Sequence, residues 1–185
     1  MEHELVKDAK AHMEKTLEVF KAELSKVHTG RANPALLEDV VVDYYGTPTP
    51  LKHLANIVAP DPDMIVVRPF DRSQIGAIER AIMAADLGLN PQNDGQIVRV
   101  KVPRLTEQRR NELVKLVRGK GEEAKVALRN IRREVREKLE AQKKEGAISE
   151  DDFFQLRERL DKLTQDYSSQ VDELVKEKSE EMRTL

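Results

Sequence analysis

The chain has no cysteine and no tryptophan in its 185 residues. Without thiols there is no disulfide framework and no thiolate metal site, which suits a reducing compartment. The opening stretch, MEHELVKDAKAHMEKTLEVF, contains no unbroken apolar run, because charges recur through it. It therefore reads neither as a signal peptide nor as a membrane span. The histidines His3, His12, His28 and His53 are scattered, with no H-E-x-x-H and no paired zinc spacing. A glycine-rich phosphate loop is missing too. Arg118-Gly119-Lys120-Gly121 lies inside a helical period and has no strand before it. No G-x-S-x-G occurs, and the many carboxylates fall mostly opposite apolar stripes, where they read as solvated faces. These absences argue against an enzyme, and no metal or cofactor is expected.

Charge is what the chain has in quantity, at 36% of residues, against 4% aromatic. A net charge of −2 hides an asymmetry: residues 106–145 net +5, and residues 146–185 net −5. Low hydropathy with high charge can mean disorder, but here apolar residues recur at helical spacing. Leu5, Ala9, Met13, Leu17, Phe20, Leu24 and Val27 make one stripe, predicted to end near Gly30. Leu113, Val117, Ala124, Leu128, Ile131, Val135 and Leu139 make a second, closed by Gly146. Ser149 with Asp152 three residues on resembles a capping box, with Asp in place of Glu. The third stripe, Phe153, Leu156, Leu160, Leu163, Tyr167, Val171 and Leu174, is close to a heptad rhythm and has Met182 near its end.

Between the first two stripes the texture changes. Val40–Val42, Ile57-Val58, Met64–Val67 and the alternating Val98, Val100, Val102 read as strands. YYGTPTP, APDPD and NPQNDG read as turns, and Ile75, Ile78, Ile82 and Ala85 as a short helix before Gly88. The expected fold is α+β: a long three-helix bundle, 1–30 plus 106–185, with an inserted small β/α/β domain, 31–105. Two short links, TGRAN and VPRLT, form a two-strand hinge.

The densest cationic stretch is ALRNIRREVREKLE. At 100° per residue, Arg129, Arg132, Arg133 and Arg136 share an arc of about 100°. Lys115, Arg118, Lys125 and Lys143 project into the same arc, interrupted by Glu122 and Glu140. The result is a basic ridge roughly 40 Å long. A solvated face knitted by Arg118–Glu122, Arg133–Glu137 and Arg136–Glu140 is the bland alternative. Yet 129/132, 129/133, 132/136 and 133/136 are like-charge neighbours, each costing an isolated helix roughly 0.2–0.5 kcal/mol. The acidic third helix could neutralise the ridge from within. A polyanion outside the chain accounts for it better, because arginine forks suit phosphate oxygens. A long ridge poor in aromatics suits the backbone of folded RNA more than stacked single strands. Tyr44 and Tyr45 offer either a second contact surface or simple turn packing.

HTGRANPALL, YYGTPTPL, LGLNPQNDG, VPRLTEQRR and RNIRREVREKL follow one another in an order that resembles the ribosome recycling factor family over essentially the whole chain. The resemblance implies a non-enzymatic, monomeric and cytoplasmic factor with a transfer-RNA-like outline. It would bind large-subunit ribosomal RNA near the subunit interface through its bundle, after termination. Elongation factor G, using GTP, would then act with it to split the subunits, with the inserted domain facing that factor. It further implies RNA contacts at Arg110, Arg129, Arg132 and Arg133, and a hinge at Gly30, Arg31, Arg104 and Leu105. A coiled-coil scaffold or holdase chaperone is the competing reading; it predicts exposed apolar patches and weak salt sensitivity.

Overall fold

Three long stretches with a single apolar stripe become three long helices: α1 (Glu4–Ser25), α3 (Glu107–Lys144) and α4 (Glu150–Arg183). A computed structural model describes residues 2–183. The chain forms two compact units, one of residues 2–24 with 112–183 and the other Ser25–Asn111.

In the first unit the three stripes face one another. Met13, Leu128, Leu139, Leu160 and Met182 are fully buried, each such side chain contributing about 1.5–3 kcal/mol. Gly121 lets the helices close up: a Cβ there would lie 2.6 Å from Val175 Cγ2 and 3.9 Å from Phe20 Cζ. The stripe of α4 differs from expectation. Leu163 and Leu174 are half-buried, whereas Thr164 and Ser179 are buried. Both hydroxyls donate to the carbonyl four residues back, Leu160 and Val175, at 2.8 Å, so their burial leaves no unmet hydrogen bond. The α3–α4 corner follows the predicted punctuation. Gly146, at φ +78, lets Ala147 N donate to Gln142 O at 2.9 Å. Asp152 N then donates to Ser149 Oγ at 3.0 Å, and Ser149 N to Asp152 Oδ2 at 3.4 Å.

The second unit holds β1 (Val41–Tyr44), β2 (Thr47–Pro50), β3 (Ala55–Asp61), β4 (Met64–Pro69), α2 (Ile75–Ala84), β5 (Asn90–Asn93) and β6 (Val98–Lys101). Strands β3, β4, β6 and β5 form an antiparallel sheet in that order, with Ile65 opposite Val100 and Val67 opposite Val98. These four residues are fully buried, as is Ile78 of α2 in the same core. Two predicted turns are strands instead: β3 runs on through Ala59-Pro60-Asp61, and Asn90–Asn93 pairs with β6. Proline is tolerated in both because β3 and β5 are the sheet's edges, where a missing N–H breaks no interior ladder.

Strands β1 and β2 form a separate hairpin whose loop is Tyr45-Gly46, at φ +49 and +85. Two positive φ values make a type I′ turn, which ordinarily takes Asn or Asp before Gly. A tyrosine held there costs of order 1 kcal/mol.

Helix α1 ends at Ser25, not near Gly30 as its spacing predicts. Asn33 Nδ2 donates to Ser25 O at 3.2 Å, and Gly30 N donates to His28 Nδ1 at 2.8 Å. Side chains thus supply partners that further helical turns would have supplied.

Candidate nucleic-acid interface

Helix α3 carries the ridge. Thr106 starts it, with Oγ1 accepting from Arg109 N at 3.1 Å, and 38 residues follow without a break. Lys115, Arg118, Arg129, Arg133 and Arg136 are exposed on its surface, and Arg132 is half-buried beside the core stripe. Arg110, also half-buried, lies in the second turn of α3. It points about 100° away from Arg129, on the side of the apolar stripe.

Among the described residues, Lys115, Arg118, Arg129, Arg132 and Arg133 have no carboxylate within 4 Å. Of the three ion pairs that spacing suggests along the ridge, only Arg136–Glu140 is present, at 3.8 Å and without hydrogen-bond contact. Lys125 behaves differently. Its ammonium sits 2.8 Å from Asp172 Oδ1 and 2.9 Å from Glu122 Oε1, and hydrogen bonds to these carboxylates raise its pKa above the usual lysine value. It ties α3 to α4 and neutralises the one carboxylate in the middle of the ridge. Among the described ridge cations, Lys125 alone forms an ion pair with α4. Lys143, at the far end, stacks its ammonium 4.7 Å from the Phe153 ring centroid.

The sequence-predicted hinge residues lie in the second unit. Gly30 takes a left-handed conformation at φ +88, Arg31 and Arg104 are exposed, and Leu105 is half-buried. His28 beside them is half-buried and its pKa is lowered, by burial first and then by the Arg109 guanidinium. In the sequence His28 reads as one of four scattered histidines, and the motif H-x-G gives no general signal for an imidazole accepting from the glycine amide. The described residues hold no helix long and apolar enough to cross a membrane, and no cluster of His, Asp and Glu arranged to hold a metal ion.

A long helical bundle with a small sheet unit, and a cationic face that its own carboxylates leave largely unpaired among the described residues, is the build of a protein that binds polyanions. The family model for ribosome recycling factor matches residues 20–182. The ribosome-recycling factor of Natranaerobius thermophilus is 49% identical over 181 residues, covering 98% of each chain. That of Carboxydothermus hydrogenoformans is 46% identical over 185 residues, covering both chains completely. A solution structure of ribosome recycling factor superposes with a TM-score of 0.77 at 39% identity over the full length of both chains. A second structure, of the T. thermophilus factor and E. coli elongation factor G bound to the E. coli post-termination complex, gives 0.68 at 44% identity over 97% of each. The chain belongs to the ribosome recycling factor family, whose members are non-enzymatic translation factors.

Proposed function

We propose that this protein binds the post-termination ribosome in the cytoplasm as a monomer, laying the α3 ridge against large-subunit ribosomal RNA near the subunit interface. With elongation factor G and GTP it promotes separation of the subunits and release of messenger RNA and deacylated transfer RNA. The observation that carries this reading is the group of cations, Lys115, Arg118, Arg129, Arg132 and Arg133, that share one face without carboxylate partners among the described residues. A helix shaped only by its own stability would alternate signs there. Phosphates supply the missing charge, and each guanidinium can take two phosphate oxygens. Arg136 adds to the face, Arg110 would make a separate contact on the flank nearer the apolar stripe, and Lys125 contributes least because two carboxylates already hold it. GTP hydrolysis belongs to the partner, since this chain has no phosphate loop.

The domain partition assigned to this function is 1–30 with 106–185 as the ribosome-binding bundle and 31–105 as the part that meets elongation factor G. Gly30, Arg31, Arg104 and Leu105 serve as the hinge. The factor needs only to favour the separated state of the ribosome over the joined one.

The test is Arg132→Glu, with circular dichroism to establish that the helices persist. Losing one charge-assisted contact and adding a repulsive charge costs about 1.5–3 kcal/mol, a roughly 10- to 100-fold loss in large-subunit affinity by co-sedimentation. A helical variant that binds as the wild type does would sink the ridge. Wild-type affinity should also fall steeply with salt, whereas a coiled-coil scaffold would hardly respond.

A further inference from the structure

The turn of the β1–β2 hairpin carries chemistry that the ridge does not use. Tyr45 occupies a left-handed position that Asn or Asp would take with less strain, yet its ring is 71% exposed. The ring is held in place: Oη donates to Asp71 Oδ2 at 3.1 Å and lies 3.3 Å from Ser73 Oγ. The Tyr44 ring meets it nearly edge-on, with centroids 4.7 Å apart. Phe70, the residue before Asp71, is 72% exposed. Backbone strain that keeps an anchored aromatic in solvent points to a use for that side chain beyond folding.

The charges around it choose the partner. Asp71 Oδ1 accepts from Ser73 N at 3.0 Å and Ser73 Oγ at 2.6 Å, while Oδ2 takes only the tyrosine hydroxyl and keeps acceptor capacity. Those hydrogen bonds hold the Asp71 carboxyl below the usual carboxylate range, so it is ionised at neutral pH. Asp43, whose Oδ1 accepts from Gly46 N at 2.8 Å, adds a second carboxylate at the turn, and Arg72 follows Asp71 in the chain. Two carboxylates oppose a phosphate backbone, and an aromatic face beside a carboxylate suits a guanidinium or ammonium.

We propose that Tyr45, Phe70 and Asp71 form the docking point for a protein surface that presents an arginine or lysine side chain. The site rests on the proposed function, in which this unit meets the partner GTPase, and it names the surface and the chemistry of that meeting.

Three variants test it in ribosome splitting followed by light scattering, with elongation factor G limiting: Tyr45→Asn, Phe70→Ser and Asp71→Asn. Asn accepts the left-handed turn, and Phe70 is too exposed for its loss to unfold the unit. If Tyr45→Asn should misfold, Phe70→Ser decides. Splitting at least about tenfold slower, restored by raising the factor concentration, with no loss of melting temperature and with large-subunit co-sedimentation unchanged, is the expected result. Asp71→Asn should slow it less and make it less sensitive to salt. Wild-type splitting by a folded Phe70→Ser overturns the proposal. So does loss of co-sedimentation with isolated large subunits, which would assign the surface to RNA. Failure of the broader function appears separately, as wild-type protein that does not bind large subunits at all.

Discussion

The two units solve the same problem in different ways. In the bundle unit every core residue is set by position on a helix, so burial, surface and candidate function all follow from one angular phase per helix. In the sheet unit the fully buried residues run from Leu37 to Val100, brought together by pairing across β3, β4, β6 and β5. Its exposed chemistry sits in turns, at Tyr45-Gly46 and Asp71–Ser73, where local hydrogen bonds decide where a side chain stands. A helix face tolerates substitution as long as the phase is kept. A turn depends on particular residues at particular positions.

The difference can be put under load. Leu128, fully buried on α3, should cost about 2–5 kcal/mol when cut to alanine, the largest effect expected outside function. Chemical denaturation reads it, and a loss under about 1 kcal/mol would mean that the bundle repacks more freely than a single stripe per helix allows. Two glycines on the same helix sharpen the point with opposite signs. At Gly119 a Cβ would meet nothing within 4 Å, so Gly119→Ala should stabilise by roughly 0.8–1 kcal/mol through helix propensity alone. At Gly121 the same change drives a methyl to 2.6 Å from Val175 Cγ2, on a stiff β-branched side chain. Overpacking of about 1–3 kcal/mol should outweigh the propensity gain, leaving a net loss. Thermal melts of the two variants that moved in the same direction would contradict this account of the α3–α4 contact.

Caps come next. Ser149→Ala removes the side-chain acceptor for Asp152 N at the first turn of α4, and should cost about 1 kcal/mol. Asp152→Asn should cost less, because its 3.4 Å contact is the weaker half of the pair.

How much was legible follows from where each feature takes its physics. The stripes of α1, α3 and α4, the Gly146 stop and the Ser149 cap depend on residues at most a few positions apart, and the sequence carries them openly. The arc shared by Arg129, Arg132, Arg133 and Arg136 is local in the same sense. Lys125 is not. Spacing places it in the ridge, but Asp172, 47 residues on, holds its ammonium, and one-dimensional phase has no means of seeing that. Thr164 and Ser179 displaced leucines from the expected stripe because a hydroxyl bonded to its own helix is nearly as easy to bury as a methyl. Strand β5 was hidden by NPQNDG, whose residues favour turns. Only pairing with β6, through Pro91 opposite Val100 and Gln92 opposite Arg99, makes it extended.

The smallest expected effect concerns the segment between α1 and the sheet unit's first strand, where His28 replaces helical hydrogen bonding with a single imidazole. Its Nδ1 accepts from Gly30 N at 2.8 Å, so the neutral ring is the form the fold uses. Burial and the Arg109 guanidinium both disfavour the charged ring and lower its pKa from 6.5. Protonation would turn the acceptor into a donor facing an amide donor. The unfolded chain therefore binds this proton more readily than the folded one, and stability rises with pH through that window. The contribution is complete above about 6.5 and is lost as pH falls through the lowered value. A proton NMR titration should give a His28 midpoint below 6.5, with the Gly30 amide resonance shifting in parallel. His28→Ala should remove this part of the acid dependence of the melting temperature. A midpoint at or above 6.5 would mean that the imidazole does not hold the Gly30 turn, and that φ +88 is maintained by glycine's own freedom and the Asn33–Ser25 contact.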